Sequence, residues 1–561
     1  MKLFVASLSI LAALPAVGSP AIRVDQVGYP AAAKKLAVVA APAAERFTLH
    51  RFPDGEKVLD RPLSKRAKDR DSGELVRIAD FSEIDAPGRY EIRVEGAGRS
   101  DPFAIEPDPY RDLLRLAARS YYGQRCGTAV DLGDGRSYSA CHLDAAFHPS
   151  SGREGESEHR GGWHDAGDYG RYVVNSGIAT ATLLWTFELF PEVVSELELD
   201  IPESGDGTPD LLDEVRWNLE WMLSMQDEDG GVWHKQTSEA FPPFVMPDED
   251  RSTSLVIGTG RAPFKSSCAT GNLAAVAAIA ARTYRPWDES FAERALAASR
   301  RAWSWLAAHP RVRFRNPAGV GTGEYGDPDC SDERLWAAAE LWRTTGDADV
   351  HAWLRDRARD LIRAAGEGPP DWRTAGAMAA WTLALGGGAD PPLGAAIRRR
   401  AVDAADAIAA RSRRSPYRIP MTRGDWVWGS NGVAANYALQ LLVANAMQRD
   451  PEYTGAALEI LHYLLGRNPF SLSFVTGTGT RSVLHPHHRP SGSDDVAEPW
   501  PGLLAGGPNR NRQDPVLKAL PRGTSPAKMY ADDQESFAGN EVAINWNAPL
   551  VFALAGLAAA E

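Results

Sequence analysis

The chain has 561 residues, 44% of them hydrophobic, and a formal net charge of −13. That length exceeds what one ordinary core holds, so two domains are expected, one of them large. The acidity argues against nucleic acid and anionic membrane as partners, because phosphates repel such a surface.

In chain order, Lys2 precedes an apolar run over 3–14, and small residues follow up to Gly18. This pattern predicts a secretory signal over residues 1–18, cleaved after Gly18. The run is short for a bilayer span, and no other stretch is long and apolar enough. A secreted protein, extracellular or periplasmic, is expected, in a compartment that permits disulfides. Residues 19–106 then read as a small all-β sandwich. Short alternating or apolar stretches at 35–41, 47–52, 74–81 and 89–95 are separated by Gly, Pro and Asp. From residue 107 to 561 the texture is Ala-rich with helical period. Helices are expected near 110–123, 175–190, 209–226, 268–284, 287–308, 332–345, 347–364, 372–385, 391–411, 430–448, 452–466 and 539–560. Twelve helices with many short connections suggest six hairpins, which can close into a ring of inner and outer helices. An open solenoid is the alternative. Three connections, 124–174, 227–267 and 467–538, are too long for turns and are rich in Trp, His, Asp and Gly. Such loops are expected to be ordered and functional.

The first of them contains GGWHDAGDYGRYV, residues 161–173, with Asp165 and Asp168 three apart behind Trp163 and His164. Gly and Asp alone would make a turn. The set also suits a carboxylate pair beside a sugar-stacking surface. At the other end, Glu541 lies near the start of the last helix among Phe537, Asn540, Asn545, Trp546 and Asn547. An acid there is ordinarily explained by the helix dipole, but the Asn and Trp around it suit gripping hydroxyls and stacking on rings. Cys126, Cys141, His142 and His164 offer a complete tetrahedral zinc set. Their spacing is not that of a standard finger, and from spacing alone a Cys126–Cys141 disulfide is the favoured reading for an exported chain. Cys268 and Cys330 read as buried free thiols, with a bridge as the alternative. Trp233, Trp372, Trp426 and Trp428 lie near predicted loop ends, where either core packing or sugar stacking could use them.

Three separated motifs give the chain a resemblance to glycoside hydrolase family 9, the cellulases with an (α/α)6 barrel, one branch of which carries an N-terminal immunoglobulin-like domain. They are Gly162-Trp163-His164-Asp165-Ala166-Gly167-Asp168-Tyr169, then Ser473-x-Val475-Thr476-x2-Gly479-x-Arg481-x4-Pro486-His487-x-Arg489, then Tyr530-x-Asp532-x4-Phe537-x3-Glu541-x-Ala543-x3-Asn547-Ala548. The resemblance covers nearly the whole mature chain. It implies a mainly α fold, an (α/α)6 barrel of six hairpins after an immunoglobulin-like sandwich. It implies Asp168 as the base that deprotonates water, Asp165 as a second holder of that water, and Glu541 as the acid that protonates the departing oxygen. His487, Arg489, Tyr530 and Trp428 are the expected substrate-binding residues. The cysteine and histidine set becomes a structural zinc site in this light. Asp332 and Glu333, in the acidic run that starts at Asp327, become candidate calcium ligands, with helix capping as the alternative.

Inversion at the anomeric carbon, which the family performs, calls for an ionised base and a protonated acid about 6.5–9.5 Å apart. Asp165 and Asp168 repel each other, so donors or a cation must keep the base charged. Glu541 needs apolar surroundings that hold its proton, for which Phe537 and Trp546 are candidates. The expected activity is endo-cleavage of β-1,4-linked glucans by a monomer without an organic cofactor. The alternatives are an exo-acting cellodextrinase, β-glucosidase or exo-glucosaminidase, with the 227–267 loop blocking one end of the cleft, and a non-catalytic carbohydrate-binding protein. No cellulose-binding module or Ser/Thr-Pro linker is legible, so soluble or amorphous glucan is the expected substrate.

Overall fold

The computed structural model describes residues 20–386 and 390–560. The signal-peptide reading, 1–18, lies outside the described residues. Ten strands precede the first helix: β1 (Ile22–Arg23), β2 (Gly28–Pro30), β3 (Leu36–Val39), β4 (Arg46–Arg51), β5 (Lys57–Pro62), β6 (Ala67–Lys68), β7 (Leu75–Asp80), β8 (Gly88–Val94), β9 (Gly98–Arg99) and β10 (Phe103–Glu106). They form two sheets, β1-β3-β7-β6 and β2-β10-β8-β4-β5, with β9 on the edge of β8. Alternate residues from both sheets fill one core, including Ala37 and Val39 from β3, Phe47 and Leu49 from β4, and Tyr90 and Ile92 from β8. The four stretches read as strands in the sequence coincide with β3, β4, β7 and β8 to within a residue or two at each end. The others are mostly two to four residues long, too short for alternation to register.

The remaining chain supplies α1 (Arg111–Gly123), α2 (Val173–Leu189), α3 (Asp210–Ser224), α4 (Ser267–Thr283), α5 (Glu289–Ala308), α6 (Ser331–Thr345), α7 (Ala348–Arg355), α8 (Ala358–Ala364), α9 (Gly376–Leu385), α10 (Pro391–Arg414), α11 (Ser430–Met447), α12 (Pro451–Leu464) and α13 (Ile544–Ala558). The predicted helix at 347–364 is broken into α7 and α8. Helices α2, α4, α6, α9, α11 and α13 pack side by side in that order, and α13 returns to α2. This closure excludes the open solenoid: the fold is an (α/α)6 barrel. The inner helices are apolar nearly all round. In α4, for example, Ala274, Ala275, Ala277, Ala278, Ala280 and Ala281 are all buried, and small side chains let both layers approach. Outer α10 buries one stripe instead, Leu393, Ile397, Ala401, Ala405 and Ile408, at helical spacing. The α6–α7 turn follows the sequence signal. Gly346 closes α6 at φ 68°, and the Asp347 carboxylate accepts the Asp349 and Val350 N–H groups.

Two of the long connections meet in a small sheet that periodicity did not reveal, ordered Ala145–Phe147, Ser254–Ile257, Lys235–Thr237, Arg171–Tyr172. The sandwich is fastened to the barrel by buried polar groups. The Tyr110 hydroxyl donates to Asp25 Oδ2 at 2.8 Å, His462 Nδ1 lies 2.9 Å from the same oxygen, and Gln26 Nε2 donates to the Ser471 carbonyl at 2.8 Å. Cys268 and Cys330 form a disulfide between the start of α4 and the residue before α6, which corrects the reading of two free thiols.

Candidate active site

The 161–172 loop is held from both sides. Trp163 is fully buried; its Nε1 donates to Glu214 Oε1 at 2.8 Å and its ring meets Tyr121 at 4.6 Å. It packs the loop against the barrel and offers no open stacking surface, so of the packing and stacking readings for Trp163 the packing one holds. Gly162 is at φ 80°, and a Cβ there would lie 2.8 Å from the Trp221 indole. The closest approach is at Gly167, where a Cβ would stand 2.0 Å from the His487 carbonyl oxygen. Backbone bonds stitch the contact: Arg489 N–H donates to Gly167 O at 3.1 Å, and Ile544 N–H donates to Asp165 O at 2.9 Å. Residues 165–168, 487–489 and 541–544 thus form one continuous surface although they come from distant parts of the chain.

Asp165 and Asp168 sit differently on that surface. Both are buried. Asp165 accepts Asn175 Nδ2 at 2.7 Å on one oxygen and the Tyr325 hydroxyl at 2.6 Å on the other. Burial, opposed by the Tyr325 hydroxyl and reinforced by the Asp168 charge, pushes the Asp165 carboxyl up to about 7. Asp168 uses only Oδ2, which accepts the Gly170 N–H at 3.0 Å and lies 3.5 Å from the Tyr172 hydroxyl. Glu541 is partly open to solvent, and Trp428 Nε1 donates to its Oε2 at 3.2 Å. Desolvation first, then repulsion by Asp168 and Asp165, raises its proton affinity well above that of an ordinary glutamate. Apolar cover comes from Trp428, whose ring lies 5.6 Å from that of Phe537. Trp546 packs instead on Gly429, just before α11, and on Gly432 within it. One carboxyl poised to keep its proton thus lies close enough to an aspartate pair to feel its charge, an arrangement suited to acid–base hydrolysis.

Of the expected substrate-binding residues, His487 and Trp428 remain partly accessible and the other two do not. His487 pairs with Glu541 in a parallel bridge, and its Nδ1 donates to the Gln534 carbonyl at 2.6 Å. A carbonyl only accepts, so in the neutral ring Nε2 is the acceptor left to meet a hydroxyl. Burial lowers the His487 proton affinity, which favours that neutral form. Arg489 is buried, and its Nε and Nη1 donate to the Pro242 and Gly167 carbonyls at 2.9 and 2.7 Å. It braces the aspartate loop. Tyr530 is also buried; its hydroxyl donates to Asn540 Oδ1 at 2.5 Å, and Asn540 Nδ2 donates to the His485 carbonyl at 2.6 Å. It supports the segment ahead of Glu541 rather than lining the open site. Tyr325, Tyr172 and Asn175 were missed in the sequence: Tyr325 is 160 residues from Asp165, and Tyr172 and Asn175, though close behind the acids, lie where the chain enters α2 and carry no sign of which way they face.

Cys126, Cys141, His142 and His164 converge, with one ligand atom from each lying within 4.8 Å of the others. The Cys126 and Cys141 sulfurs are 3.9 Å apart and unbonded, which removes the disulfide alternative. Two thiolates at tetrahedral corners of a zinc ion would be about 3.8 Å apart. His142 Nδ1 is buried with no hydrogen-bond partner, while its Nε2 lies 3.1 Å from Asp250 Oδ2. A carboxylate behind an imidazole is the usual support of a metal-binding histidine. Farther off, Asp332 Oδ2 accepts the Ala375 N–H at 2.8 Å, and Glu333 is fully buried with both oxygens unpartnered, as is Asp327 Oδ2. Those orphaned oxygens suit a hard cation. Trp233 and Trp426 are buried and bonded to Ser151 O and Asp71 Oδ2, whereas Trp372 meets Tyr325 edge-on at 4.9 Å.

Comparison with known proteins agrees with this geometry. The chain is 35% identical to endoglucanase D of Acetivibrio thermocellus over 95% of its own length and 83% of that protein. It is 33% identical to a cellodextrinase of Butyrivibrio fibrisolvens, covering 96% of this chain and 99% of that one. The crystal structure of a metagenome-derived glycoside hydrolase family 9 endoglucanase superposes with a TM-score of 0.89 at 38% identity, covering 96% of this chain and 99% of that one. The cellulase N-terminal Ig-like domain model matches residues 18–99, and the glycosyl hydrolase family 9 model matches 110–554. The chain therefore belongs to glycosyl hydrolase family 9 and carries an immunoglobulin-like domain ahead of its barrel.

Proposed function

We propose that the protein is an endo-acting hydrolase of β-1,4-linked glucans that inverts the anomeric carbon, with Asp168 as general base, Asp165 as second holder of the water and Glu541 as general acid. The observation that carries this reading is the joining of the aspartate loop to the Glu541 segment, with the charges of Asp165 and Asp168 acting on Glu541. Protonated Glu541 gives its proton to the glycosidic oxygen as the bond to the anomeric carbon breaks. Water attacks that carbon from the opposite face. One water proton passes to Asp168, and the oxygen stays on the sugar. Asp165, held by Tyr325 and Asn175, accepts a hydrogen bond from the other O–H of the water, and that hydrogen stays on the new sugar hydroxyl. His487 Nε2 accepts a sugar hydroxyl beside the scissile bond. NMR of the first product formed from a β-glucan should show the α-anomer; the β-anomer appearing first would overturn inversion. A rapid fall in viscosity of a soluble glucan marks internal cuts, whereas slow release of short sugars would favour the cellodextrinase-like alternative.

The alkaline limb of activity belongs to Glu541 in this scheme. Its proton affinity is raised, so the acid form persists to higher pH than in a free glutamate, and activity falls as pH rises through its titration. The Trp428 N–H stabilises the ionised form. Trp428→Phe should therefore move the alkaline limb to higher pH, and a shift to lower pH would contradict the role of this contact.

Cys126, Cys141, His142 and His164 would hold zinc, with every tetrahedral position filled by protein. The ion would be structural, cross-linking the loop in which His164 adjoins Asp165. Asp250→Ala should cost about 10–100-fold in zinc affinity or activity, read by metal analysis and a chelator titration. Asp332 and Glu333 are the proposed calcium ligands, again structural. The Cys268–Cys330 disulfide supports secretion into an oxidising compartment. Residues 1–18 are assigned to the signal, 19–106 to the sandwich and 107–561 to the catalytic domain of a monomer.

A further inference from the structure

We infer that Lys235 is a positioning residue for the aspartate pair: its buried ammonium fastens the 316–323 loop in one conformation and so sets the Tyr325 hydroxyl on Asp165. The inference rests on the catalytic reading above. Lys235 is fully buried on the strand Lys235–Thr237, directly paired with Tyr172. Its Nζ donates to Asn316 Oδ1 at 2.8 Å, Thr322 Oγ1 at 3.0 Å and the Gly323 carbonyl at 2.8 Å. All three N–H bonds are thereby used on one loop. Among the described residues no carboxylate lies within ion-pair distance of it. A buried cation without a paired anion is costly, and a fold needing only bulk here would use Met or Leu. Burial lowers the ammonium's proton affinity, while the Asp168 and Glu324 charges favour its charged form.

The fastened loop leads straight to Tyr325. That residue has φ 45°, a left-handed conformation which a non-glycine residue keeps only when its surroundings impose it. His234, next to Lys235, grips the same loop from the other side: its Nε2 donates to the Glu324 carbonyl at 3.1 Å and its ring stacks on Phe314 at 3.8 Å. The Tyr325 ring is wedged between Tyr172 at 4.6 Å and Trp372 at 4.9 Å, leaving its hydroxyl 2.6 Å from Asp165 Oδ2. Lys235 touches neither aspartate. Its effect passes through the loop to Tyr325.

The test is a double-mutant cycle on a soluble β-glucan. Lys235→Met should lower kcat about 10–100-fold with KM within about twofold, because misplacing a water-holding group by an ångström costs that order of rate without changing sugar contacts. Combined with Tyr325→Phe it should cost no more than Tyr325→Phe alone, because both changes remove the same hydroxyl contact. Additive losses, or a raised KM with unchanged kcat, would overturn the inference. Asn316→Ala removes one acceptor without emptying the buried site, so it decides the matter if Lys235→Met fails to fold; about threefold lower kcat is expected, and wild-type kcat would overturn it. Asp168→Asn runs alongside. If it retains activity the catalytic reading itself fails, whereas an inactive Asp168→Asn with a fully active Lys235→Met refutes only the role of Lys235.

Discussion

Glu541→Gln and Asp168→Asn should each reduce kcat on a soluble β-glucan by about 10²–10⁴-fold, the usual contribution of a positioned acid or base. Each should leave the thermal transition close to that of the unaltered protein. Both changes keep the shape of the side chain. In Glu541→Gln the amide oxygen would still accept the Trp428 N–H that reaches Oε2 at 3.2 Å, and in Asp168→Asn it could still accept the Gly170 N–H. What disappears is the proton that Glu541 retains under repulsion from the aspartates, or the charge that takes a proton from water. Activity in either purified variant near that of the unaltered protein would end the assignment. The pair of results also separates chemistry from architecture, since a misplaced loop would lower stability as well as rate.

Gly167→Ala should be almost as damaging by a different route. The new methyl would fall 2.0 Å from the His487 carbonyl oxygen, well inside van der Waals contact, and both clashing groups are fixed to the backbone. No flexible side chain can yield. The loop must withdraw from the 487–489 segment, which breaks the Arg489 N–H and Nη1 bonds to the Gly167 carbonyl. It also shifts Asp165 and Asp168 relative to Glu541. A displacement on the ångström scale costs about 100-fold in rate. The lost bonds and strain should also lower the melting temperature, unlike the two carboxyl substitutions. Circular dichroism melting and kcat measured together check both halves of this expectation.

Much of this architecture was legible because it rests on local pattern. The Ala-rich inner helices, the stripe of α10 and the Gly346-Asp347 turn all signal themselves within a few residues. The carboxyls stood out through the motifs that carry the family resemblance; the four cysteine and histidine residues came together as a zinc set only through that resemblance, since their spacing alone favoured a disulfide. What escaped depends on contacts between distant segments. The small sheet joins strands of two to four residues from two loops; one pairing lies within the 227–267 loop, but the other two link the loops, where no local window contains both partners. Tyr325 and Lys235 look like ordinary loop and strand residues until the fold sets the Tyr325 hydroxyl on Asp165 and the Lys235 ammonium on the loop that precedes Tyr325. Trp163 stayed open between packing and stacking in the sequence because its fate depends on Glu214 and Tyr121, which lie elsewhere in the chain. Arg489 and Tyr530 show the same limit: a motif preserves a residue's identity without saying whether its polar atoms face sugar or carbonyl. Cys268 and Cys330, 62 residues apart, carry no local sign that they pair.

The seam between sandwich and barrel has a practical consequence. Asp25, Tyr110 and His462 satisfy one another there beneath both surfaces. Cutting away the first hundred residues would strand His462 and the Tyr110 hydroxyl in an abruptly wetted, largely oily wall that also loses Gln26. A catalytic core trimmed to the barrel alone should therefore precipitate or melt early. Module-shuffling schemes for this enzyme would do better to move both pieces as one inheritance.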